Sequence, residues 1–173
     1  DGLTGGAGEG NTDETSLTIT NSTLVDGLSL TAAMFEASGG DNTAQRTRTS
    51  TVGGGDVESI TGAASYAMGA FSIGYQQTEV VYQHGSNYAT EALALSYNLN
   101  DNLSVGYTAV ENEEQKSSAA NVTAEYEGIG VTYTMGPMAI KYIRNDGDNV
   151  NGLTTASATR DDEHQELMIS ITF

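Results

Sequence analysis

The sequence predicts an all-β chain, an antiparallel transmembrane β-barrel with about nine strands in its 173 residues. Three observations predict it. Large apolar and small polar residues alternate with a period of two through segment after segment, as a two-faced strand requires. The connections alternate between short turns and mostly longer polar loops, which is the layout of a membrane barrel whose turns share one rim. The last segment sets Leu167, Ile169 and Ile171 on one face against Met168, Ser170 and Thr172, and ends on an aromatic residue, Phe173.

In chain order, residues 1–14 read as an acidic glycine-rich loop, and 15–173 as strands, turns and loops of one barrel segment. The expected strands run 15–21, 28–37, 58–68, 71–82, 87–99, 103–113, 122–135, 138–146 and 163–173. Most supply the roughly 9–11 residues that a tilted membrane strand needs. In 58–68 and 71–82, Ser59, Thr61, Ala63 and Ser65, then Ser72, Gly74, Gln76 and Thr78, form the small face. In 87–99, Leu93, Leu95, Tyr97 and Leu99 oppose Ala92, Ala94, Ser96 and Asn98. Leu103, Val105, Tyr107 and Ala109 continue the apolar face, as do Ile129, Val131, Tyr133 and Met135. Short turns fall near Asp26-Gly27, at Gly69-Ala70, at Asn100-Asp101-Asn102 and at Gly136-Pro137, all residues suited to tight reversals. The longer loops are 38–57, 114–121 and 147–162, with a shorter connection at 83–87. Counted from the first strand, Phe173 ends on the turn side.

Composition narrows the function classes. With 23 acidic and 6 basic residues the formal net charge is -17, which opposes binding to nucleic-acid phosphates. There is no cysteine, hence no disulfide framework or thiolate chemistry. No basic-then-apolar leader opens the chain, so it reads as mature, processed or partial. Tyr66, Tyr75, Tyr97, Tyr107, Tyr133 and Tyr142 lie near the short turns on the apolar face, and Tyr82, Tyr88 and Tyr126 near the loop ends. The expectation is two aromatic girdles, one at each membrane interface.

One further regularity concerns the apolar face. Eight residues from the turn-proximal apolar residue, each of six strands turns acidic: Leu28 to Glu36, Phe71 to Glu79, Leu99 to Glu91, Leu103 to Glu111, Met135 to Glu127 and Met138 to Asp146. At about 3.3 Å per residue and a tilt near 45° the span is roughly 19 Å. The belt marks where lipid ends, because charge is costly within the hydrocarbon. Its oxygen chemistry also suits Ca²⁺ or Mg²⁺ bridging to lipopolysaccharide phosphates, with Glu36, Glu79, Glu91, Glu111, Asp146 and Asp148 as candidate ligands. No cofactor is required.

The opposite face is small and polar. It lacks the volume to fill an eight-stranded barrel, and suits the lining of a wide aqueous channel of 16–18 strands. Gln76, Asn98, Thr108, Lys141, His164 and Glu166 are its candidate pore-lining residues. Lys141 is the one basic residue that parity places inside a strand and facing the lumen; with Glu166 and His164 it would form part of a field that sorts solutes, or it would pair with a neighbouring carboxylate. The overall acidity points to a mild preference for cations.

The stretch from Asn98 through Leu99, Asn100, Asp101, Asn102, Leu103, Ser104, Val105 and Gly106 to Tyr107 resembles the turn-and-strand repeat of general diffusion porins of Gram-negative bacteria, most closely the alphaproteobacterial type. The segment from Glu163 to Phe173 resembles their closing strand. The resemblance implies a carboxy-terminal half of a 16-stranded barrel, a homotrimer in the cell outer membrane, and passive diffusion of small hydrophilic solutes. The family's constriction loop has no counterpart here, so its eyelet residues are not carried over. The rivals are a small closed outer-membrane barrel and a soluble acidic β-sandwich, such as an adhesin or surface-layer module. His84-Gly85-Ser86-Asn87 resembles the His-x-Ser-Asn stretch of outer-membrane phospholipases, but Tyr88 stands where a glycine is expected, and the chain is read as no enzyme.

Overall fold

The computed structural model describes residues 13–38, 56–83, 85–116, 119–150, 152 and 160–172. Among them are nine strands: β1 (Asp13–Asn21), β2 (Leu28–Ser38), β3 (Val57–Met68), β4 (Phe71–Tyr82), β5 (Asn87–Asn100), β6 (Leu103–Gln115), β7 (Val122–Met135), β8 (Met138–Asp148) and β9 (Asp162–Ile171). They form a single sheet in chain order, each strand antiparallel to the next, and β1 and β9 are its two edges. Phe173, His84 and residues 1–12, 39–55, 117–118, 151 and 153–159 lie outside the described residues.

The strands run further toward the loop rim than apolar alternation predicts. Pairing of Asn87 with Gln115 and of Glu125 with Asp148 carries β6 and β8 two residues past their expected ends. Backbone hydrogen bonds continue there although the greasy face has already given way to carboxylates. At the other rim β9 stops at Ile171, and the Thr172 N–H donates to the Pro137 carbonyl at 2.9 Å.

The turn rim is stitched from strand to strand. The Asn100 side chain accepts from the backbone of Asn102 (2.9 Å) and Leu103 (3.0 Å), closing the turn that its composition predicts. Asn98 opposes Ser104 while Asn100 opposes Leu103, so the register slips at Leu99 and accommodates that turn. Gly27 adopts φ 79°, and a Cβ there would strike the Ala67 carbonyl oxygen. Only glycine fits where the β1–β2 connection lies this close to β3.

In β2 and β3 burial is inverted relative to a water-soluble sheet. In β2, Ser29, Thr31 and Ala33 are half-buried whereas Leu30, Ala32 and Met34 are exposed. In β3, Ser59, Thr61 and Ala63 are shielded, while Ile60 is 55% exposed. A sheet curled toward one side shields the residues on that side, so the small polar face is the inner one. Among the described residues the buried apolar side chains are just Val122 and Ala124. The large apolar residues face outward, as they do when the solvent outside is lipid.

Candidate functional site

The inner face is a wall of small side chains linked across the strands. Thr20 and Thr31 share a hydrogen bond (3.2 Å), as do Thr61 and Thr78 (2.9 Å) and Ser72 and Ser96 (2.6 Å). Gln76 donates to Thr78 at 3.2 Å, and Thr90 to Asn112 at 3.3 Å. These bonds hold the short polar side chains against the sheet. Glycine deepens the wall: a Cβ on Gly128 would meet Thr108 Oγ1 and Asn145 Oδ1, each at 2.7 Å, so both polar groups lean over the bare backbone.

The six residues expected to line a lumen share this face. Gln76 lies between Ala63 and Ala92, Asn98 opposite Ser104, and Thr108 between Ala94 and Gly128. Lys141 lies between Thr132 and Met168, with Glu166 opposite Ile143 and His164 opposite Asn145. The structure does not unite the three charged groups: His164 Nε2 approaches Glu166 at 3.8 Å, and no ion pair of Lys141 occurs among the described residues.

Most of the strand acidity is on the other face. Glu36 opposes Glu58, Glu91 opposes Glu111, Glu111 opposes Glu125, Glu127 opposes Asp146, and Asp146 opposes Glu163; Asp148 faces Glu125, and Glu79 lies between Ile60 and Ala89. Like charges directly opposite destabilise a sheet. The compensation is local: Arg144, also outward, reaches Asp146 at 2.9 Å and Glu163 at 3.4 Å. The candidate metal ligands therefore form a row, and among the described residues no three acidic or histidine side chains converge as a metal site would require. Sequence reasoning passed over Glu58, Glu125 and Arg144, which the same outward parity identifies.

The row is level only if the strands tilt. Glu58 is level with Val81, two residues beyond Glu79; Glu91 is level with Gln77, two residues short of it; and Glu127, through Ala109 and Leu93, is level with Tyr75. Over the six steps from Glu36 in β2, opposite Glu58, to Asp146 in β8, opposite Glu127, the belt thus slips about one residue per strand. With about 3.3 Å per residue and about 4.8 Å between strands, a horizontal belt needs a tilt of about 35°, the range in which barrels close.

The expected second aromatic girdle is corrected. Tyr82, Tyr88 and Tyr126 stand at the loop rim, but their register partners Val57, Val80 and Gly147 put them on the inner face. Tyr82 and Tyr88 pack edge to face with ring centroids 6.0 Å apart. Outward tyrosines belong to the turn-proximal side alone.

No family description and no curated protein matches the sequence. Solved structures do. The chain is similar to OmpT of Vibrio cholerae expressed in the outer membrane, at 17% identity and a TM-score of 0.56, over 79% of this chain and 46% of that one. It is likewise similar to the trimer form of OmpT folded in vitro, at 16% identity and a TM-score of 0.54, over 87% of this chain and 50% of the other. The chain spans about half the length of these structures. Its tilted antiparallel sheet, apolar outside and small and polar inside, has the fold of an outer-membrane β-barrel of Gram-negative bacteria.

Proposed function

We propose that this chain forms part of the wall of a porin-type channel through which small hydrophilic solutes diffuse passively. The observation that carries the reading is the inner face. Residues such as Ser72, Gly74, Ala94, Ser96, Gly106, Thr108, Gly128 and Gly130 adjoin one another across β4 to β7. A small closed barrel must fill its interior with side chains, and the turn-side part of this wall across β4 to β7 supplies few large ones, whereas a barrel of about 16 strands leaves the same surface wet. The reading includes no catalytic role. A homotrimer in contact with lipopolysaccharide and lipid accords with it, and a trimer form is on record for one of the similar outer-membrane proteins. The test is conductance of the full-length protein in planar bilayers. Stepwise, persistent conductance with passage of small sugars into vesicles is expected; a folded, inserted protein that conducts nothing overturns the reading.

A further inference from the structure

We infer that Lys141, with the hollow beside it, is a recognition point for small oxyanions, a carboxylate or phosphate group on a compact solute. The inference rests on the channel reading and goes past it by naming a residue and a ligand class. The register separates the charges of the strands by face. Glu36, Glu58, Glu79, Glu91, Glu111 and Glu127 all point outward, so the net charge of -17 is a poor guide to the field inside. The inward carboxylates, Glu14, Glu114, Asp162 and Glu166, occupy the middle or the loop half of their strands. Toward the turns, Lys141 is the sole charged side chain on the inner face among the described residues.

Its surroundings leave that charge available. The nearest inward carboxylate, Glu166, lies diagonally across β8 and β9 and approaches His164 instead. Lys141 is exposed and borders a hollow of about 530 Å³ that Gly106, Gly128, Gly130, Thr108 and Asn145 also line. The glycines remove side chains from the floor and the ammonium supplies the charge, while the Thr108 hydroxyl and the Asn145 amide line the same hollow four residues nearer the loops. At about 8 Å in water a unit charge alters local ion concentration roughly two- to threefold.

The experiment records single channels of the full-length protein in a low-salt KCl gradient, with inorganic phosphate as the probe. Lys141→Met is expected to lower the chloride-to-potassium permeability ratio roughly two- to threefold. Lys141→Arg should retain it, and Lys116→Met, at the opposite rim, should leave it unchanged. Millimolar phosphate should reduce chloride current in the parent channel and lose that effect in Lys141→Met; Lys141→Gln provides a second neutral variant with the same expectation. Conducting variants with an unaltered ratio overturn the proposal and leave the channel reading intact. A changed ratio without competition by phosphate overturns the binding site. Absence of conductance in the parent protein overturns the channel reading and this inference with it.

Discussion

The Tyr107 hydroxyl donates to the Glu127 carboxylate at 2.8 Å, from a strand on which it lies opposite Ile129. The contact is diagonal, one step toward the loop rim. Tyr142 repeats it with Gln165 at 3.2 Å. The phenol ring covers the apolar band while its hydroxyl ties to the first polar row above, and this arrangement suits an amphipathic ring at a lipid boundary.

Tyr107→Phe should lower the urea midpoint of unfolding from lipid vesicles, because Glu127 loses a donor at the edge of the hydrocarbon. In Glu127→Gln the same change should matter less. Equal losses in both backgrounds would show that the hydrogen bond contributes nothing.

The two faces of β5 should respond oppositely to charge. Leu95→Arg places a guanidinium midway along the outward apolar stretch and is expected to cost about 2–4 kcal/mol in vesicle-refolded protein. Ala94→Arg, its immediate neighbour on the inner face, should leave stability within about 0.5 kcal/mol and reduce conductance instead. Similar costs at both positions would contradict the assignment of faces.

Turn glycines should rank by what lies beside them. Gly69 has φ 59° with no atom near a would-be Cβ, so Gly69→Ala should cost about 1–2 kcal/mol for the left-handed backbone. Gly27→Ala adds a collision with the Ala67 carbonyl, and should cost more and slow refolding. Denaturation midpoints of the two variants measure the ranking.

Gly128→Ala should cost about 1–3 kcal/mol by forcing Thr108 and Asn145 apart. Combining it with Thr108→Ala, which removes the hydroxyl oxygen that the new Cβ would strike, should recover part of that cost. Unfolding of the single and double variants reads the coupling.

Much of the fold was legible because membrane strands carry their pattern locally. Alternation alone located all nine strands, and β4 and β7 within their observed limits, since each side chain reports its own face. Strand ends at the loop rim were less legible: Gln115 and Asp148 pair through the backbone where side-chain polarity no longer alternates. The wall was legible by parity, which placed Lys141, His164 and Glu166 on the inner face. Parity applied to Tyr82, Tyr88 and Tyr126 would have put them there too; proximity to the rim misled because it gives height and not direction. Contacts such as Arg144 with Glu163 depend on register between strands, which no single segment encodes.

The edges β1 and β9 carry a constraint of their own. In a sheet of alternating direction, the first and ninth strands point the same way. A second identical sheet, inserted with its turns on the same side of the membrane, would meet these edges strand-to-parallel-strand at both seams. Closure that stays antiparallel all the way round demands an insert whose two outer strands also share a direction, opposite to that of β1 and β9. Such an insert has an odd number of strands and the completed ring an even one; a second copy of this nine-stranded sheet meets that count, so with its turns on the same side it is direction, not number, that rules out an all-antiparallel cylinder.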